Sequence, residues 1–259
     1  LPFLNWPKPT FGLLRGEFWA GLTVGLMLLP QGVAYAALAG IPLITGIYAS
    51  IIPAAVAILF SPSPRLGVGP TALSALLIGA SLTGMAEPGS AQWVVLAAWM
   101  AILSGLVQWS LGVVRAGWLL NLVTSPVLAG FTQAAALLIL ASQLPTLLGM
   151  RADWYTVWHS PSIYLFSIQS IACGLVSMGL LLLAKKWRPA FPSAIFIIGL
   201  SGFISWLTGF ADAGGAVIGH LPAGLPSFQW PGMLDWEQFG ALVMPVLVIS
   251  LVSFLETAS

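Results

Sequence analysis

Charge is what this sequence has least of. Asp, Glu, Lys and Arg make up 6% of its 259 residues, against roughly 25% in an ordinary soluble domain, and a soluble fold cannot coat itself with so few. Cysteine is nearly absent as well. Cys173 stands alone in an apolar run, which excludes a disulfide framework and a thiolate metal site. The two histidines, His159 and His220, are far apart and lack ligand spacing, so no metal centre is expected. No apolar segment offers paired carboxylates or a nucleophile beside a base, and the chain does not read as an enzyme. A net charge of +1 is too small for a nucleic-acid partner. No cleavable signal peptide is apparent. The opening LPFLNWPKPT has no initiator Met, so the chain is expected to start inside a longer one.

What the sequence does have is hydrophobic length. Apolar residues make up 59% of the chain and the mean hydropathy is +1.00. Runs of about 20 such residues, the length that crosses roughly 30 Å of hydrocarbon, recur throughout. These features predict an all-α polytopic membrane protein in contact with the lipid bilayer. Charged, Gly-rich and Pro-rich breaks place eight spans at 16–38, 43–60, 70–85, 91–112, 119–148, 166–185, 191–210 and 238–258. With a cytoplasmic N-terminus, Lys8, Arg15, Arg65, Arg115, Lys185, Lys186 and Arg188 fall inside and only Arg151 falls outside. That bias supports both the span number and the orientation. The expected location is a bacterial inner membrane or a plasma membrane. The last span runs to Ser259 with no exit loop, so the chain is expected to stop within or just after a helix.

The third span is too short. Fifteen residues from Pro70 to Gly84 make about 22 Å of helix, less than the hydrocarbon thickness. The preceding SPSPRLGVG supplies the remainder as a turn and an extended stretch. Gly69 is expected at the cap and Pro70 at the first helical position, where a missing N–H costs nothing. A half-helix would then begin near the midplane. Its first amides, those of Thr71 and Ala72 onward, and the positive end of its dipole form an anion site without any fixed charge.

Two other segments place polar groups at membrane depth. In GLMLLPQGVAYAALAG, Gln31 lies about 21 Å along a helix counted from Glu17, where an amide needs a polar partner. Pro30 is expected to break the backbone ladder, and Tyr35 follows Gln31 by one turn. Interrupted or short helices meeting near the midplane point to a transporter's substrate site. In MPVLVISLVSFLETAS, Glu256 follows twelve uncharged residues, with Ser250, Ser253 and Thr257 on roughly its face. An intramembrane acid is a functional candidate, and it is expected to take up a proton near neutral pH. A proton or Na⁺ there would offset the charge of a bound anion.

The blocks PQGVAYA, GIYAS and VGPTA, followed by GHLPAGLPSF and FLETAS, occur in order over almost the whole chain and resemble the SulP family of anion transporters. That resemblance implies the first half of a 7+7 inverted-repeat transporter fold, with the second repeat and any STAS domain lying outside this chain. It implies substrate contacts at Gln31, Tyr35, Thr71 and the following amides, and a cation-coupling role for Glu256. It also implies an elevator-like motion of a core, helices one to four and eight to eleven, past a gate that includes helices five to seven.

Plainer readings stand beside these. Pro30-Gln31 could be a simple kink, Glu256 a structural acid, and Thr71 and Ser74 small packing residues. Gly21 and Gly25 have the small-xxx-small spacing and read as packing. Gln133 and Gln143 are ambiguous between cavity lining and interhelix bonding. The Trp residues read as an interfacial belt, and no cofactor is implied. The leading expectation is proton-coupled uptake of sulfate or a similar inorganic or small organic anion. The alternatives are Na⁺-coupled bicarbonate transport and a non-transporting membrane motor or scaffold. A homodimer is left open.

Overall fold

The computed structural model describes residues 10–61, 67–118, 125–149, 167–187, 193–210, 212, 217, 224 and 230–258. Among them are eight helices and no strand: α1 Phe11–Leu38, α2 Leu43–Phe60, α3 Ala72–Leu82, α4 Ala91–Val113, α5 Ser125–Leu147, α6 Ile168–Trp187, α7 Ser193–Leu207 and α8 Trp236–Ala258. The segments around Phe11, Leu43, Ala91, Ile168 and Trp236 give five helices long and apolar enough to cross a membrane. Their side chains are predominantly apolar, as expected of helices solvated by lipid or by one another. His159, His220, Arg151 and Arg65 lie outside the described residues, and with them the turn expected before the third span.

Two compact units divide the described helices. One gathers residues 29–137 and the segment that includes α8; the other gathers residues up to 28 and the segment from 138 through α7. In the first, Leu82 of α3, Trp93, Leu96 and Met100 of α4, and Leu242, Val246 and Ile249 of α8 form one buried cluster. Trp93 does more than fill it. Its indole N–H donates to the carbonyl of Ala39 at 2.8 Å, tying the α1–α2 link to the start of α4. Gly40 sits against this ring at φ +68, and a Cβ there would lie 2.9 Å from the indole, so both backbone and space demand glycine. Trp93→Phe leaves the Ala39 carbonyl without its partner. We expect a loss of about 2 kcal/mol in denaturant unfolding of the detergent-solubilised protein.

The α1–α2 crossing is closer still. A Cβ on Gly46 would lie 1.9 Å from the carbonyl oxygen of Gly32, and one on Gly32 would lie 2.6 Å from that of Gly46. Both helices therefore touch backbone to backbone, the contact that small residues permit in membranes. The packing expected at Gly21 and Gly25 is not found there: a Cβ at either meets nothing within 4 Å among the described residues. The face that packs begins at Gly32, two turns further on.

Pro30 does not break α1. The helix runs without interruption from Phe11 to Leu38, because a proline forfeits only the bond to the carbonyl four residues back, that of Leu26, and its neighbours close the remaining ladder. The expected opening at Pro30-Gln31-Gly32 is thus one missing hydrogen bond.

In the second unit, α6 packs on α7. An open, largely apolar groove between them is lined by Cys173, Val176, Leu180, Ile197 and Ile204, with Ser177, Ser201, Ser205 and Thr208 along it. Gly174 meets the side chain of Leu147, which seats the end of α5 against α6.

Candidate anion site

The start of α3 is set by Thr71. Its backbone is extended at φ −114, ψ 147, and its Oγ1 accepts from the Ser74 N–H at 3.3 Å, while its carbonyl accepts from the Ala75 N–H at 3.1 Å. This is an N-cap, worth about 1 kcal/mol. It moves the helix start from the expected position: Pro70 lies before the cap and Gly69 before that, both in the non-helical run 67–71. The hydroxyl of Thr71 outcompeted the proline because it offers a bond to an otherwise orphaned donor, whereas Pro70 offers only a suitable φ. At the other end, Thr83 is extended at φ −60, ψ 125 and Gly84 takes φ +88. Eleven residues remain, about 16 Å of helix, half the hydrocarbon thickness.

The first turn of α3 has donors to spare. Thr71 serves the Ser74 amide, but among the described residues the N–H groups of Ala72 and Leu73 meet no acceptor, and these residues are only 8% and 6% exposed. Buried amides without a partner are rare and costly. Together with the helix dipole they make a site of partial positive charge.

Glu256 comes to this same turn from α8. Thr71 Oγ1 lies 3.1 Å from Glu256 Oε2, with the hydroxyl as donor. Ser74 Oγ lies 3.0 Å from Thr71 Oγ1 and 3.4 Å from Ser253 Oγ. The two helices run antiparallel here, Leu82 packing with Leu242 at one end of the cluster and Thr71 meeting Glu256 at the other. The carboxylate is half-buried. Ser250 does not share this face: its hydroxyl donates to Val246 O at 2.6 Å and lies 3.4 Å from Ser104 O. Six residues carry it about 120° around the helix from Glu256, whereas the i−3 residue, Ser253, stays near the acid; the side chain of Thr257 lies outside the described residues.

Gln31 and Tyr35 are joined to each other, the Gln31 Nε2 donating to the Tyr35 hydroxyl one turn on. Gln31 is exposed and Tyr35 half-buried in this chain. Among the described residues no hydrogen bond links this pair to Thr71 or Glu256. The structure thus unites Thr71, Ala72 and Glu256 and leaves Gln31 and Tyr35 as a separate pair. Two groups in the first cluster were weakly signalled. Ser74 reads from sequence as readily as packing, and Ser253 was noted only as a neighbour of the acid. Gln133 is exposed and Gln143 half-buried, and neither enters the cluster. Among the described residues no group of three or more His, Cys, Asp or Glu could hold a metal ion.

Comparison with known proteins gives these features a context. A family model described as the sulfate permease family matches residues 14–259. A probable sulfate transporter of Mycobacterium tuberculosis is 33% identical over 250 residues, covering 94% of this chain and 44% of that protein. The chloroplastic sulfate transporter 4.1 of Arabidopsis thaliana is 33% identical over 237 residues, covering 85% of this chain and 34% of that protein. The chain therefore spans less than half the length of these relatives. The solved structure of SLC26A9 superposes with a TM-score of 0.80 at 24% identity, over 98% of this chain and 44% of that one, which shows a shared helical fold.

Proposed function

Because the chain belongs to the sulfate permease family, we propose that it is part of a membrane carrier for a small oxyanion, with sulfate as the expected substrate. Relatives named as sulfate transporters support that substrate class. The anion would sit at the start of α3, on the amides of Ala72 and Leu73 and the hydroxyl of Thr71. Partial charges suit a carrier, since a fixed cation would hold a dianion too tightly to release it. Gln31 and Tyr35 would supply further polar contacts from α1.

The observation that carries this reading is the hydrogen bond from Thr71 to Glu256. It puts a group able to gain a proton beside a site built for negative charge. An ionised carboxylate there competes with the substrate for the same donors and repels it. A protonated one does neither, so anion and proton would bind together, and linkage requires each to raise the affinity for the other. A cell-membrane location with the N-terminus inside fits the distribution of basic residues. In an elevator-like cycle, α3, α4 and α8, which pack on one another, would move together as part of the core.

The test is uptake of labelled sulfate into proteoliposomes containing the full-length protein. Accumulation driven by an inwardly directed proton gradient is expected. Accumulation that needs Na⁺ and ignores the pH gradient would replace the proton with Na⁺, and charge movement without flux would indicate a motor. Gln31→Ala is expected to weaken sulfate binding roughly tenfold, the order of one hydrogen bond to a charged ligand, with an unchanged melting profile. Equilibrium binding by isothermal titration checks this.

A further inference from the structure

The four side-chain oxygens around the start of α3 form a chain rather than a cluster. Ser253 Oγ and Ser74 Oγ are 3.4 Å apart, Ser74 Oγ and Thr71 Oγ1 3.0 Å, and Thr71 Oγ1 and Glu256 Oε2 3.1 Å. A hydroxyl has one proton to donate and two lone pairs to accept with. Thr71 Oγ1 already accepts the Ser74 N–H, so only one lone pair and one proton remain to be assigned, and the state of Glu256 assigns them.

An ionised carboxylate can only accept. Thr71 then donates to Glu256 Oε2 rather than to Ser74 Oγ, the other acceptor within reach of its hydroxyl, and has no proton left for a substrate. When Oε2 gains a proton from water, the acid becomes the donor and takes the free lone pair of Thr71. The Thr71 proton is then released to Ser74 Oγ, which is in contact with Ser253 Oγ. No bond other than the new O–H is made; the hydroxyls only rotate. An anion arriving at the Ala72 and Leu73 amides can now take the Thr71 proton in place of Ser74.

We infer that the single Thr71 hydroxyl proton moves between Glu256 and the Ser74–Ser253 hydroxyl chain, so that the protonation state of Glu256 decides whether Thr71 donates to the acid or to the bound anion. In this scheme Ser74 and Ser253 are positioning residues. The inference rests on the anion-site reading of the previous subsection and adds a device to it. Among the described residues, α3 and α4, which pack on α8, carry no charged side chain, and the other acid of α8, Glu237, is about 28 Å away along the helix.

The chain is separable from simple charge repulsion by Thr71→Val, which keeps Glu256 and the shape of Thr71 but has no hydroxyl. The measurement is difference infrared spectroscopy on the full-length protein in lipid, with and without sulfate, reading the carboxylic-acid band that Glu256→Gln removes. In the wild type, sulfate is expected to increase that band. Thr71→Val is expected to cut the increase several-fold and shift the band, because the acid loses its acceptor, and Thr71→Ser is expected to restore both. Ser74→Ala keeps the backbone N–H that Thr71 caps and is expected to reduce the increase as well, which covers the case in which loss of the cap disturbs α3. A full wild-type increase in folded Thr71→Val, or in Ser74→Ala if the valine variant does not fold, overturns the chain. Sulfate binding to the wild type with no change in the band would instead overturn proton coupling itself.

Discussion

Replacing Gly46 with valine is expected to leave no monodisperse folded protein after detergent extraction, and Gly46→Ala is expected to cost about 3 kcal/mol or more of stability. The reason is the position of the first added atom. A Cβ on Gly46 would stand 1.9 Å from the Gly32 carbonyl oxygen and 2.5 Å from its carbon, well inside van der Waals contact. Neither atom belongs to a side chain that can turn away. The helices must separate by more than an ångström, and overpacking of this kind, at 1–3 kcal/mol for ordinary side-chain contacts, is worse against backbone. Ser50 adds to the constraint, since its hydroxyl donates to the Gly46 carbonyl at 2.8 Å in the same buried spot. Gly21→Ala is the control. Its Cβ meets nothing within 4 Å, and the change should stabilise α1 by up to about 1 kcal/mol through helix propensity. Thermal unfolding followed by size-exclusion chromatography compares the three proteins.

The second large effect concerns coupling. Glu256→Gln is expected to leave sulfate binding intact while lowering proton-driven accumulation at least tenfold, to the level of passive equilibration. Glutamine keeps the size of the acid and presents an amide N–H₂ to Thr71 Oγ1, so it imitates the protonated state at every pH. Any dependence of sulfate affinity on protons in the wild type should therefore be absent from the variant. A variant that still concentrated sulfate against a proton gradient would show that coupling lies elsewhere. A variant that bound no sulfate would assign Glu256 to the substrate itself.

Both effects depend on pairings that a single sequence does not display. Thr71 and Glu256 are 185 residues apart, and nothing in either local pattern names the other. Gly46 is one of 28 glycines, and the small-residue spacing that is visible, at Gly21 and Gly25, marks positions where an added Cβ meets nothing within 4 Å among the described residues. Local chemistry was more legible. The shortness of the third span is plain from Pro70 and Gly84, and the depth of Gln31 and Glu256 from counting residues. Even there the helix start was displaced, because a proline is a conspicuous signal and a threonine N-cap is a quiet one. Pro30 misled for a related reason: its lost hydrogen bond is local, while the continuity of α1 is maintained by all the others. Trp93 reads from sequence as one more belt residue, yet at 1% exposure it is a structural tie, decided by the Ala39 carbonyl it reaches across 54 residues.

The most direct test is a structure of the full-length protein with selenate, a heavier analogue of sulfate, bound at low pH. The account predicts an anion with oxygens at hydrogen-bond distance from the Ala72 and Leu73 nitrogens and the Thr71 hydroxyl, with α3 still beginning at Ala72. An anion seated away from that turn, or a helix that continues through residues 67–71 and occupies those amides itself, would contradict it.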